Sequence, residues 1–216
     1  MTDRIDAVIW DFGGVITSSP FEAFNAYEAE RGLPADFIRS VNARNGDDNA
    51  WAKLERSEVD ADGFDTLFRA ESRALGHEVP GRDVLGLLSG AVRPRVVEAL
   101  KTCKAKAKVG CITNNAPVGK GASMTEDDGK AAQVAAIFDV FDHVIESSKI
   151  GMRKPDPRIY ALMCEALDVE PSACVYLDDL GINLKPARAM GMTTIKVLNE
   201  HQLLADLASA TGYEIG

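Results

Sequence analysis

The amino-acid sequence predicts an α/β fold in which helices cover both faces of a doubly wound parallel sheet. Short apolar runs rich in β-forming residues alternate with helical segments along most of the chain. These runs are mostly apolar, which is typical of strands that are buried on both faces. Only residues 18–93 break the alternation, because they carry helical patterns alone. We therefore expect a small all-helical cap inserted after strand 1, and we call residues 18–93 the helical insert.

The first strand is predicted at residues 5–10 (IDAVIW), which end abruptly at the turn-like sequence Asp11-Phe12-Gly13-Gly14. Further runs of the same kind predict the remaining strands of the sheet. They are residues 109–113, 144–145, 174–177 and 193–197.

Helices are predicted between these strands at residues 95–106, 158–167 and 183–190. Asp156 and Pro157 are suited to the N-cap and the first helical position of the second of them. Gly191 is a typical stop for the third. Residues 119–130 are polar and glycine-containing, so they are predicted to form a loop.

In the helical insert, Ser19-Pro20 indicates a helix start, and Phe64 and Phe68 recur at helical spacing. Such an aromatic stripe predicts a hydrophobic core of its own. The predicted domains are therefore an α/β core of residues 1–17 and 94–216 and the helical insert. We expect the insert to lie over the carboxyl ends of the strands, where open α/β sheets bind ligands.

Composition excludes several classes of protein. The 24 Lys and Arg against 33 Asp and Glu give a net charge of −9, which repels nucleic-acid phosphates. No apolar run approaches the roughly 20 residues that span a bilayer, so no membrane association is expected. The four cysteines match no metal-ligand spacing and lie in segments expected to be buried. This favours a reducing compartment and a cytoplasmic location, and the oligomeric state is left open.

Acidic residues follow two of the predicted strands directly. Asp11 follows the first strand, and Asp178 and Asp179 follow the strand at residues 174–177. The carboxyl ends of parallel strands meet at one sheet edge, so these carboxylates can converge. Clustered carboxylates repel one another unless a cation lies between them, and oxygen ligands of this kind suit Mg²⁺. The alternative is that each merely ends a strand or caps a helix.

Two other polar positions are suited to binding an anion. Thr113 and Asn114 end the strand at residues 109–113 and offer a hydroxyl and an amide. Lys154 precedes Pro155, which stiffens the chain beside it. The alternatives are an ordinary turn and a surface lysine.

The order Asp, Thr-Asn, Lys, Asp-Asp resembles that of the haloacid dehalogenase-like (HAD) hydrolase superfamily. The resemblance is carried by AVIWDFGGVI, CITNN, FDHVIESSKIGMRKPDPRIY and VYLDDLGINLKPARAMGMTTIKV. It is closest to the amino-terminal phosphatase-like domain of soluble epoxide hydrolases and their bacterial relatives. It implies a Rossmann-like core with a cap and a Mg²⁺-dependent phosphatase. Epoxide opening is not implied, since no G-x-S-x-G occurs.

The resemblance also implies a role for individual residues. Asp11 would be the nucleophile that forms an aspartyl-phosphate, and Lys154 would neutralise the oxygens around it. The phosphoryl group would be bound by Thr113, Asn114 and Lys154. Mg²⁺ would be held by Asp11, Asp179 and the Gly13 carbonyl, with Asp178 and Asn183 in support.

The sequence departs from the family pattern at Gly13. Most phosphatases of the family have Asp here, two residues after the nucleophile, and its side chain acts as the general acid and base. A glycine keeps the carbonyl but loses this function, which is typically worth about 10²–10⁴-fold in rate. Substrates with acidic leaving groups should suffer least.

The leading hypothesis is therefore a phosphatase that hydrolyses a small phosphorylated metabolite. One alternative is a 2-haloacid dehalogenase-type hydrolase, whose family members also lack the second Asp and need no metal. Another is a non-catalytic protein that binds a phosphorylated ligand on a degenerate frame. The substrate is not determined by the sequence. Residues 51–58 (WAKLERSE) and 42–44 are candidates for contacting it.

Overall fold

A five-stranded parallel sheet lies at the centre of the computed structural model, which describes residues 5–116, 119–120, 124–125 and 127–215. Its strands are β1 (Ala7–Trp10), β2 (Lys108–Thr113), β3 (His143–Glu146), β4 (Cys174–Asp178) and β5 (Thr193–Lys196). Their order across the sheet is β3-β2-β1-β4-β5. The predicted doubly wound parallel sheet is confirmed, with the first strand in the middle.

Helices cover both faces of this sheet. They are α6 (Pro94–Lys104), α7 (Asp128–Phe138), α9 (Pro157–Leu167), α10 (Gly181–Ala189) and α11 (Glu200–Thr211). The short α8 (Ser147–Ile150) directly follows β3. Val8 and Trp10 of β1 pack into one hydrophobic core with α6, α7 and α11. Ala7 and Ile9 pack into a second core with α9 and α10. Both faces of β1 are therefore buried, which explains its continuous apolar sequence.

Element boundaries differ from the prediction where side chains give weak signals. Residues 128–130 begin α7 rather than ending a loop, with the Asp127 side chain accepting a hydrogen bond from the Lys130 amide. Residues 121–123 and 126 of the predicted loop lie outside the described residues. Helix α10 begins at Gly181, two residues earlier than predicted. The prediction missed this start because the N-cap residue, Leu180, has no capping side chain that would mark it.

The helical insert contains α1 (Pro20–Arg31), α2 (Phe37–Ala43), α3 (Ala50–Glu55), α4 (Ala61–Ala74) and α5 (Gly81–Gly86). Ser19 caps α1 as its sequence predicts, accepting from the Phe21 amide at 3.4 Å. Phe64 and Phe68 are fully buried in a third hydrophobic core, most of which comes from the insert. The domain boundaries themselves remain a prediction.

Two glutamates of the insert stabilise neighbouring helices. Glu28 of α1 is buried, and its two carboxylate oxygens accept the backbone amides of Asp36 and Ile38 at 2.8 Å each. Glu71 of α4 accepts the Ala50 amide at the start of α3, also at 2.8 Å. Both carboxylates satisfy amides that have no partner within their own helix.

The chain enters and leaves the insert at one place. Thr17 and Val92 form an isolated antiparallel bridge. The Ser18 amide donates to the Ala91 carbonyl at 2.7 Å, and the Arg93 amide donates to the Ile16 carbonyl at 2.9 Å. The two connections between the insert and the sheet therefore lie side by side.

Two expectations about the whole chain can be compared with the structure. All four cysteines are buried and free, as predicted. Within the described ranges, no helix has both the length and the apolar character needed to cross a membrane.

Candidate active site

Three aspartates converge at the carboxyl edge of the sheet. Trp10 is in register with Leu177, and the Asp11 amide donates to the Leu177 carbonyl at 2.9 Å. This pairing puts Asp11 beside Asp178, the last residue of β4, and beside Asp179. One carboxylate oxygen from each aspartate lies within 4.8 Å of the other two.

Lys154 lies between two of these carboxylates and is almost completely buried. Its Nζ is 2.8 Å from Asp11 Oδ1 and 2.8 Å from Asp178 Oδ2. Burial by itself lowers the pKa of Lys154, but the charges of Asp11 and Asp178 more than offset it, so the pKa is raised. The side chain is therefore a permanent cation.

Asp11 is held on one side only. Its Oδ1 accepts from Lys154 and from the Phe12 amide, the latter at 2.6 Å, whereas Oδ2 has no hydrogen-bond partner among the described residues. Burial raises the pKa of Asp11, as do Asp178 and Asp179, while Lys154 lowers it. The free oxygen is the one able to attack a substrate or ligate a cation.

Asp178 is fully occupied by protein donors. Its oxygens accept from Tyr176 Oη at 2.5 Å, from the Leu180 amide at 2.8 Å and from Asn183 Nδ2 at 3.1 Å, besides Lys154. The carboxylate has no exposed surface. This arrangement favours a supporting role, with Asn183 fixing the orientation of the carboxylate.

Asp179 has no basic partner among the described residues. Burial, with Asp178 next in importance, raises its pKa to about 6. Ser19 Oγ lies 3.5 Å from its Oδ2, and the backbone of Gly14 packs against the carboxylate. A carboxylate whose charge is not balanced by the protein is suited to a divalent cation.

The donor set fits Mg²⁺. Three carboxylates share a single ammonium, so the cluster carries excess negative charge, and all available ligand atoms are hard oxygens. Asp11 and Asp179 could hold the ion, as could the Gly13 carbonyl.

Thr113 and Asn114 follow β2 on the same sheet edge, and both line the cavity described below. Thr113 is buried at the end of β2. The Asn114 side chain accepts from the Lys154 amide at 2.8 Å and donates to the Lys154 carbonyl at 3.0 Å. Its amide group thus fixes the backbone that carries the ammonium, which favours a positioning role over the phosphate contact that the resemblance implies.

A cavity of about 860 Å³ lies between the sheet edge and the helical insert. Asp11, Gly13, Lys154 and Asp179 line one side. The insert supplies the other side with Phe21, Phe24, Arg39, Asn42, Trp51 and Glu55, among others. Of the candidate substrate contacts, residues 42, 43, 51, 55 and 56 line this cavity, whereas Arg44 does not. The site therefore combines a charged floor with a wall of mixed aromatic, polar and charged side chains from the insert.

Sequence reasoning missed several residues that support this site. Tyr176 is one, since a tyrosine inside a buried strand gives no sign of a carboxylate partner. Asn115 is another: it is buried and donates to Glu146 Oε2 at 2.8 Å. Arg153 is adjacent to Lys154 and pairs with Glu55 of the insert. The one signal in the sequence that points to Arg153 is its position next to Lys154, a candidate site residue.

The sequence is similar to that of several proteins over most of its length. It is 32% identical over 215 residues to mouse acyl-CoA dehydrogenase family member 10, covering 97% of the chain and 19% of that protein. It is 31% identical over 214 residues to mouse bifunctional epoxide hydrolase 2, covering 94% and 38%. The chain thus spans less than half of either relative. It is also 30% identical over 193 residues to phosphatase MT3486 of Mycobacterium tuberculosis, covering 87% and 85%.

Solved structures share the fold. A HAD family enzyme from Bacteroides thetaiotaomicron, crystallised with magnesium and inorganic phosphate, superposes with a TM-score of 0.57 at 18% identity, covering 90% of this chain and 94% of that one. L-2-haloacid dehalogenase from Xanthobacter autotrophicus gives 0.59 at 22% identity, covering 99% and 85%.

The family model described as haloacid dehalogenase-like hydrolase matches residues 5–191, which include every element of the sheet edge that carries the aspartates and Lys154. The chain therefore belongs to the haloacid dehalogenase-like hydrolases.

Proposed function

We propose that this protein is a Mg²⁺-dependent phosphatase that hydrolyses a small phosphorylated metabolite through an aspartyl-phosphate on Asp11. The observation that carries the proposal is the arrangement of Asp11, with one oxygen held at 2.8 Å by Lys154 and the other without a partner among the residues that the structure describes. The similarity to phosphatase MT3486 over most of its length supports the same reaction class.

The first step transfers the phosphoryl group to the protein. A carboxylate oxygen of Asp11 attacks phosphorus, the bond from phosphorus to the ester oxygen breaks, and the alcohol oxygen leaves with the electron pair. Water then attacks the aspartyl-phosphate, releasing phosphate and restoring the carboxylate. Such transfers depend mainly on positioning and charge neutralisation.

The residues of the site divide this work between them. The Lys154 ammonium offsets the charge of the nucleophile and of the phosphoryl oxygens that approach it. The Thr113 hydroxyl is available to donate to a phosphoryl oxygen, and Asn114 holds the Lys154 backbone. Asp11, Asp179 and the Gly13 carbonyl would hold Mg²⁺, which would supply further neutralisation of phosphate charge.

The glycine at position 13 shapes which substrates react well. No side chain there can protonate the leaving oxygen, so the leaving group must accept negative charge unaided. We therefore expect aryl and acyl phosphates to be hydrolysed faster than alkyl phosphates.

Replacing the nucleophile tests the proposal. Asp11→Asn should reduce phosphate release from p-nitrophenyl phosphate to background, and a chelator should do the same to the unchanged protein. Asp139→Asn, at the exposed C-terminal end of α7, is the matched control and should retain full turnover. Undiminished turnover by Asp11→Asn would refute the mechanism.

The same experiment separates the alternatives. Halide release from a 2-haloacid that persists in chelator would instead indicate a dehalogenase, a reading that the glycine at position 13 leaves open. Tight binding of phosphate esters without turnover across a broad panel would indicate a non-catalytic binding protein.

A further inference from the structure

Arg153 and Lys154 are adjacent in the chain but are held by different parts of the molecule. The Lys154 side chain pairs with Asp11 and Asp178 of the sheet edge. The Arg153 side chain faces the insert instead, where its Nε lies 2.7 Å from Glu55 Oε2 and its Nη1 donates to the Gly46 carbonyl at 3.1 Å. One peptide bond therefore joins a residue held by the insert to the proposed phosphate-binding cation.

Glu55 is buried at the end of α3, and the Arg153 side chain paired with it is partly buried. The exposed fractions of the two side chains are 5% and 23%. Burial raises the pKa of Glu55, and the charge of Arg153 opposes that shift. A carboxylate so enclosed depends on its partner, because removing one member leaves an uncompensated buried charge. Neither Glu55 Oε2 nor Arg153 Nε makes a hydrogen bond within the described residues, so the charge of each is what holds the other in place.

A second contact holds the same stretch of chain to the insert. Ser57 Oγ, just beyond α3, donates to the Ser148 carbonyl of α8 at 2.6 Å. The Ser148 side chain in turn donates to Asn115 Oδ1 at 2.9 Å. Asn115 follows Asn114, whose side chain brackets the Lys154 backbone. The segment from Ser148 to Lys154 is thus tied to the insert at both ends.

We propose that Glu55 and Arg153 are positioning residues that set the placement of the Lys154 ammonium according to the position of the helical insert. An insert displaced from the sheet edge would release Arg153 and loosen the lysine beside it. Efficient phosphoryl transfer would then require the insert to be in place over the substrate. This inference rests on the proposed phosphatase function for its catalytic consequence, but not for the coupling itself.

Hydrogen–deuterium exchange tests the coupling without reference to activity. The Lys154 amide is protected by its bond to Asn114 Oδ1, so Glu55→Gln and Arg153→Gln should each accelerate its exchange about tenfold. Glu98→Gln removes the exposed ion pair with Lys101 on α6 and is the matched control. Unchanged exchange at Lys154 in both insert-pair variants would overturn the proposal.

Kinetics test the catalytic consequence. Each single variant should lower kcat for p-nitrophenyl phosphate about tenfold or more, with KM changing much less, since misplacement of the ammonium acts on the transition state. The double variant with Glu55→Gln and Arg153→Gln should have a kcat no lower than that of the slower single variant, because both substitutions break the same ion pair. Arg153→Lys should recover part of the loss. Additive losses would overturn the proposal.

The results also distinguish positioning from other roles. A loss that is much greater for alkyl than for aryl phosphates would make Glu55 a proton donor and overturn the proposal. So would a lowered melting temperature with unchanged kcat, which indicates a purely structural pair. Unchanged protein that releases no phosphate would refute the phosphatase function, while faster exchange at Lys154 in the variants would still support the coupling.

Discussion

Two adjacent glycines after Asp11 are under opposite steric constraints. A β-carbon at Gly14 would lie 2.3 Å from Asp179 Oδ2, and its φ of +81° is in the left-handed region. A β-carbon at Gly13 would meet nothing within 4 Å. The backbone at residue 14 therefore has to lack a side chain so that Asp179 can approach, whereas the space above residue 13 is open.

Gly14→Ala should disturb the site and the fold together. The strained backbone and the clash with Asp179 should lower the free energy of unfolding by about 1–3 kcal/mol. Turnover should also fall, because Asp179 has to move. Urea denaturation measures the first effect, with Gly13→Ala as the control that stays within about 0.5 kcal/mol of the unchanged protein. Equal stability of the two variants would contradict the close approach.

Gly13→Asp should restore the missing acid. The open space accepts the side chain, so alkyl phosphate turnover should rise by up to about 10²-fold, with a smaller gain on p-nitrophenyl phosphate. Gly13→Asn has the same shape without the proton and should give no such gain. A comparable rise with Asn would show that bulk, not acid catalysis, is responsible.

At the scale of elements, strands and helices were predictable where their own side chains signal them. β1 and residues 174–177 of β4 lack charged side chains because both faces are buried, and α9 begins with the predicted Asp156 cap and Pro157. The start of α7 could not be predicted, since the sequence of its polar first turn is indistinguishable from that of a loop. The short α2 has no capping side chain of its own, and Glu28 of α1 supplies the cap across space.

Glu28→Ala should therefore destabilise the insert. It leaves two amides at the start of α2 without acceptors, and the Ile38 amide is buried, so the free energy of unfolding should fall by about 1–3 kcal/mol. Chemical denaturation gives this value directly. Glu30→Ala, an exposed position on the same helix, should have little effect. Matching losses in both variants would rule out the cross-helix cap.

At the scale of the whole molecule, excess negative charge is concentrated where three distant stretches of chain meet. The convergence of Asp11 with the Asp178–Asp179 pair could be predicted because parallel strands share a carboxyl edge, whereas the place of Lys154 beside Asp11 was implied by the family resemblance. The pairing of Glu55 with Arg153 could not, because it depends on how the insert packs against the sheet. No periodicity or spacing in either segment encodes that contact.

Mg²⁺ should stabilise the folded protein. A cation that binds only the folded state at a concentration a hundredfold above its Kd contributes about 2.7 kcal/mol. For a chain of this length we expect a rise in melting temperature of about 5–10 °C, measured calorimetrically with and without chelator. Asp179→Asn should abolish the rise and Asp139→Asn should preserve it. A rise of equal size in both variants would locate the cation elsewhere.

The side-by-side connections at Ser18–Ala91 and Ile16–Arg93 have an evolutionary consequence. Because the two ends of the excursion already meet through backbone hydrogen bonds, a shorter, longer or unrelated segment can span the same gap without shifting a single strand. Substrate choice can then diversify by exchange of this one module, while the chemistry at the sheet edge is inherited intact.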